Sequence, residues 1–143
     1  MVRINLINPR FLTDQHLIAE YNEILMLFSY VRKYPHTHFN RIPKNYKLGE
    51  GHILFFKNKL KYLKNRFDLI KKEMYRRSFY ARKKINFNNI DRELIKDWKP
   101  SNIDKEIIKK RLIEKINLKD NYYRYYGEYK PIEFFIRMVK NAE

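Results

Sequence analysis

The chain has no cysteine, which excludes disulfides, thiolate nucleophiles and Cys-based zinc sites. Three glycines in 143 residues leave no material for the Gly-rich loops that wrap phosphates. No apolar run approaches the roughly 20 residues that cross a bilayer. The opening Met1-Val2-Arg3-Ile4-Asn5-Leu6 reaches Asn8 and Pro9 before an apolar signal region develops. Acids are also scarce. Sixteen Asp and Glu stand against 32 Lys and Arg, a formal net charge of +16. Self-repulsion of that size calls for an anionic partner, nucleic acid first and an anionic membrane surface second.

What is present suffices for a core: 44% of residues are apolar and 16% aromatic. The length suits one domain, 1–143, with 128–143 reading as a C-terminal extension. Apolar residues recur at three and four (Leu17, Tyr21, Ile24, Phe28, Val31), predicting a helix from about Asp14 to Arg32 with Thr13 or Asp14 as N-cap. Its other side carries Gln15, His16, Ala19, Glu20, Asn22, Glu23 and Met26, a face too mixed for core. A second seam (Ile53, Phe56, Leu60, Leu63, Phe67, Ile70, Met74) predicts a helix from about His52 to Tyr80. Ser101 and Asp104 resemble a capping box before a third helix of about Ile103 to Leu118. A short helical tail, about Ile132 to Val139, follows. The expected fold is all-α: three main helices with long loops and that tail.

Two features bear on nucleic acid. Between Lys57 and Lys84 twelve Lys/Arg face only Asp68 and Glu73, which reads either as a solvated helix face or as a phosphate-facing one. Tyr122, Tyr123, Tyr125 and Tyr126 interleave with Arg124, as stacking on bases requires, or alternate rings pack beneath the helices. His36 and His38 share a loop without a third ligand at a telling spacing, so no metal site is assigned.

The blocks Arg3-Ile-Asn-Leu6, Asp14-Gln-His-Leu17 and Ala19-Glu-Tyr21 with Glu23 closely resemble the start of the pyrimidine-dimer DNA glycosylase/AP lyase family. The resemblance resumes at Leu48-Gly49, Gly51-His52, Phe55-Phe56, Lys59-Leu60 and Leu63. It returns at Arg111-Leu112, Glu114-Lys115-Ile116 and Tyr123-Arg-Tyr-Tyr-Gly127. It implies one domain of three main helices, removal of Met1, and attack by the α-amine of Val2 with Glu23 assisting. It also implies DNA contacts from Arg3, Gln15, His16, Asn22, Arg111, Lys115, Tyr123 and Arg124. Family members typically carry arginines where this chain has Asn22 and Met26, and threonine where it has Val2.

An α-amine suits the implied reaction. Its pKa of about 7.7–8.0, against about 10.4 for lysine, leaves roughly a fifth of it neutral near pH 7 and less than about one lysine in a thousand. A carboxylate beside it stabilises positive charge developing on the sugar and takes part in proton transfer. The resulting expectation is a DNA-repair glycosylase with AP-lyase activity on cyclobutane pyrimidine dimers. It needs no cofactor, acts as a monomer on lesion-containing double-stranded DNA without a membrane or obligate protein partner, and resides in the cytoplasm at the nucleoid. The alternatives are a non-catalytic basic DNA-binding protein of the same fold and a lyase for abasic or oxidised sites.

Overall fold

Thr13 sets the register of the first helix. Its Oγ1 accepts from the backbone N–H of His16 at 3.0 Å, so of the two candidate caps Thr13 satisfies a donor the helix leaves open. The structure, a computed structural model describing residues 4–36 and 39–143, is mostly helical. In chain order come α1 (Asp14–Lys33), α2 (His52–Phe55), α3 (Leu60–Arg76) and α4 (Asn102–Asn117). An antiparallel hairpin of β1 (Arg124–Tyr125) and β2 (Glu128–Tyr129) and then α5 (Ile132–Lys140) complete it. The long helices α1, α3 and α4 are the three that periodicity predicts. The hairpin has no signal in apolar spacing.

The expected single helix from His52 to Tyr80 is divided. At Lys59 the backbone leaves helical geometry (φ −124°, ψ 42°). It pairs there with Ile95 as an isolated bridge, and Lys59 Nζ donates to the Phe55 carbonyl at 2.8 Å, closing α2. The connector after α3 thus takes up bonding that a continuous helix would have kept to itself. The apolar seam survives the break, because Phe56, Leu60, Leu63, Phe67, Ile70 and Met74 all remain buried. α3 also stops before Tyr80. Ser78 adopts φ 63°, and the Phe79 N–H returns to the Met74 carbonyl at 2.9 Å, a Schellman-type closure.

One apolar core joins the N-terminal segment (Ile4, Ile7) to α1, α3, α4 and α5. Each large side chain buried in it contributes about 1.5–3 kcal/mol. The Ser101–Asp104 capping box forms in both directions, at 3.1 and 2.9 Å. It aims α4 so that Ile108, Leu112 and Ile116 face inward. Against α4 lies α5, burying Phe135 and Val139. The Glu143 carbonyl accepts from the Asn8 N–H at 3.2 Å, which ties the end of the chain to its beginning.

Candidate active site

The N-terminal segment is fixed by buried polar groups. The Ile4 N–H donates to His52 Nε2 at 3.0 Å and the Ile4 carbonyl accepts from Tyr46 Oη at 3.1 Å. His52 Nδ1 lies 2.8 Å from the Lys47 carbonyl. An acceptor there and a donor at Nε2 require a neutral ring with its proton on Nδ1. One residue on, Asn5 Nδ2 donates to Glu20 Oε1 at 2.8 Å. Glu20, fully buried on α1, also receives Arg66 of α3 at 2.7 and 3.0 Å. Arg66 NH1 continues to the Ile7 carbonyl. Burial opposes the Arg66 charge, but Glu20 outweighs it and raises its pKa. The pair therefore clamps two helices and the incoming strand of chain together.

Beside this clamp opens a cleft of about 210 Å³. Asn5, the α1 residues Gln15, His16 and Ala19, the α4 residues Arg111 and Lys115, and Tyr123 line it. Glu23, half-buried, follows Ala19 by one helical turn on the same side of α1. The cleft is cationic, with Arg111 only partly offset by Glu114 at 3.3 Å. His16 is lowered to about 4, first by burial and then by the charge of Lys115. It is therefore neutral at physiological pH, its ring 5.0 Å from that of Tyr123.

Two adjacent residues of α1 hold the aromatic segment that forms the far wall. Gln15 donates to the Tyr122 carbonyl at 2.7 Å and accepts from the Arg124 N–H at 3.0 Å. Asp14 accepts from the N–H groups of Tyr126 and Gly127 at 3.0 and 2.7 Å. Arg77 meets Asp14 at 3.0 Å and Glu73 at 2.9 Å, and its guanidinium lies 4.7 and 5.0 Å from the Tyr125 and Tyr126 ring centres. Tyr126 Oη closes the ring of bonds on Glu73 at 3.1 Å; burial and that bond raise the Tyr126 pKa. The tyrosines divide between roles. Tyr123 is buried and Tyr125 half-buried, while Tyr122 and Tyr126 are each 45% exposed.

The structure thus gathers Gln15, His16, Arg111, Lys115 and Tyr123 into one cleft. Asn22 and Met26 face solvent on α1, outside its lining. Arg124 is also exposed, over the Tyr129 ring. Val2, Arg3 and His38 lie outside the described residues. Gln15, expected at DNA, has both ends of its amide committed to protein backbone. The basic stretch 57–84 is less of a surface than its charge suggests. Arg66 and Arg77 are buried in ion pairs, and Lys57 is buried with Nζ 2.7 Å from the Tyr34 carbonyl.

Sequence reasoning missed Asp14, Glu20, Arg66, Glu73 and Arg77, the network that positions both walls. Periodicity puts Glu20 on the polar face of α1, whereas the structure buries it on Arg66. A signal existed: Arg66, Glu73 and Arg77 fall in phase with the apolar seam of α3, and a charge in that phase is buried with a partner.

The model of the family described as pyrimidine dimer DNA glycosylase matches residues 1–87, which hold the N-terminal segment, α1, α2, α3 and the Glu20–Arg66 clamp. More than half of the chain is covered, and the protein belongs to the pyrimidine dimer DNA glycosylase family.

Proposed function

We propose that this glycosylase works through its own N-terminus: once Met1 is removed, the α-amine of Val2 attacks C1′ of a nucleotide in a cyclobutane pyrimidine dimer. The bond from C1′ to the base breaks and its electron pair goes to the base, which stays joined to the neighbouring pyrimidine through the cyclobutane ring. The sugar ring opens, and amine nitrogen and C1′ form an imine. Loss of a C2′ proton then expels the 3′ phosphate by β-elimination, which is AP-lyase chemistry. Glu23 stabilises the cationic sugar and takes part in the proton transfers. Arg111 and Lys115 offset phosphate charge, and neutral His16 serves as a hydrogen-bonding group rather than a cation.

The observation that carries this reading is the fixing of Ile4 through both its backbone groups. Chain termini are ordinarily loose, and two residues reach at most about 7 Å. In this reading the Val2 amine is carried on a chain anchored at Ile4, next to Asn5 of the cleft lining. The lower pKa of an α-amine makes it a better neutral nucleophile than a lysine.

Borohydride added during incubation with dimer-containing duplex tests this. The expected product is a covalent protein–DNA adduct that maps to Val2, with Glu23→Gln retaining DNA binding and losing most turnover. An adduct formed only with abasic DNA would move the activity to a different lesion. Tight binding with no adduct on either substrate would leave a DNA-binding protein without the chemistry.

A further inference from the structure

We infer that the segment Tyr80–Lys84 is a second DNA-contacting wall, which takes phosphates on the side of α1 opposite the cleft. This inference rests on the reading of the protein as a duplex-binding enzyme, but not on the amine chemistry.

From Ile18 to Ser29 the exposed face of α1 carries no cation; Arg32 and Lys33 follow in its last turn. Ile18, Asn22, Met26 and Ser29 lie along it; Ile18 is 37% and Met26 65% exposed. One flank of this uncharged strip is the cleft, with Arg111 and Lys115. On the other flank stands Tyr21, whose Oη accepts from the Lys83 N–H at 3.0 Å. Further along α1, Arg32 donates to Asn86 Oδ1 at 3.0 Å, and Phe28 stacks on Phe87 with ring centres 6.3 Å apart. Residues 83–87 therefore run beside α1 and in its direction.

This edge is held firmly and left open. The Ala81 carbonyl accepts from Tyr75 Oη at 2.9 Å and the Lys83 carbonyl from Lys71 Nζ at 2.8 Å. Arg82, Lys83 and Lys84 are exposed. The ion pairs of α3 go instead to Lys64, Arg66, Arg76 and Arg77. Tyr80 is 80% exposed, with the Arg82 guanidinium 4.8 Å from its ring centre. A fixed backbone that presents three consecutive cations, none in an ion pair among the described residues, and an exposed ring suits a sugar–phosphate strand.

The spacing fits a duplex. An α-helix with its side chains is about 10–12 Å across, so two basic borders on either side of α1 are set apart by at least about that much, comparable to the about 12 Å of a DNA major groove. The two walls can then meet the two strands that flank one groove, with the uncharged strip of α1 between them.

The test is equilibrium binding to an undamaged duplex, which needs no chemistry. The triple variant Arg82→Gln, Lys83→Gln, Lys84→Gln is compared with Lys110→Gln, Arg137→Gln, Lys140→Gln, which removes the same charge from α4 and α5. The first is expected to bind roughly 10- to 100-fold more weakly near 0.1 M salt and to flatten the slope of log K against log salt by about 0.9 for each phosphate lost. The second stays close to the parent. Acetylation mapping of the parent protein should show duplex protecting Lys83 and Lys84 but not Lys110 and Lys140. Equal weakening in both triple variants, or no protection at 83–84, overturns the inference. Failure of borohydride trapping would instead overturn the amine mechanism and leave this wall standing.

Discussion

Asp14 Oδ1 lies 3.0 Å from Arg77 NH1 at the buried junction of α1 and α3, and the same carboxylate holds the backbone of the aromatic hairpin through Tyr126 and Gly127. One side chain thus joins the helix packing to the far wall of the cleft. Asp14→Ala leaves the Arg77 charge buried with Glu73 alone and strands two N–H donors. The expected loss is about 3–5 kcal/mol of unfolding free energy, the usual result of breaking a buried pair from one side. Urea denaturation measures it. A loss below about 1 kcal/mol would mean that Arg77 and the hairpin are held by other groups.

Gln15 separates a positioning role from a direct DNA contact. Its amide uses both ends on the backbone of residues 122 and 124. Gln15→Ala is expected to cost about 1–2 kcal/mol of stability and to raise amide hydrogen exchange at Tyr122–Tyr126 in the absence of DNA. If exchange there is unchanged and only DNA affinity falls, Gln15 acts on the nucleic acid directly.

Much of this was legible in the sequence, because helix packing writes a period into it. The seams of α1, α3 and α4, the Ser101–Asp104 box and the shared face of Gln15 and His16 follow from spacing or resemblance. What was not legible depended on distant partners. The break at Lys59 requires Ile95, thirty-six positions away in the chain. The charge total of the 57–84 stretch cannot distinguish Arg66, buried on Glu20, from Arg82, exposed. The hairpin depends on Asp14, more than a hundred residues before it.

His16 gives a prediction in pH. Its pKa falls from 6.5 unfolded to about 4 in the folded chain, through burial and then Lys115. Above pH 6.5 the ring is neutral in both states and stability is at its full value. As pH drops, the unfolded chain takes up the proton first, so folding is progressively disfavoured until about pH 4. At pH 5 the cost is on the order of 2 kcal/mol. His16→Gln should therefore lose less stability than the parent between pH 7 and pH 5, measured by denaturant midpoints. Parallel pH curves for the two proteins would show that His16 titrates normally.

Tyr46→Phe tests the proposed amine through its anchor at Ile4. The substitution removes the Oη bond to the Ile4 carbonyl but keeps the ring, which packs against His52, Phe55, Phe56 and Trp98. A buried carbonyl left unpaired costs about 1–3 kcal/mol, and the N-terminal segment then depends more heavily on the bond from the Ile4 N–H to His52. If that segment positions the nucleophile, the loss falls on reaction geometry, where small displacements are amplified up to about 100-fold. The expected outcome is DNA affinity within about twofold of the parent, with the single-turnover rate of borohydride-trappable adduct reduced roughly tenfold or more. A mutant that loses stability but forms adduct at the parental rate would show that Ile4 anchors the fold and leaves the amine to be positioned by something else.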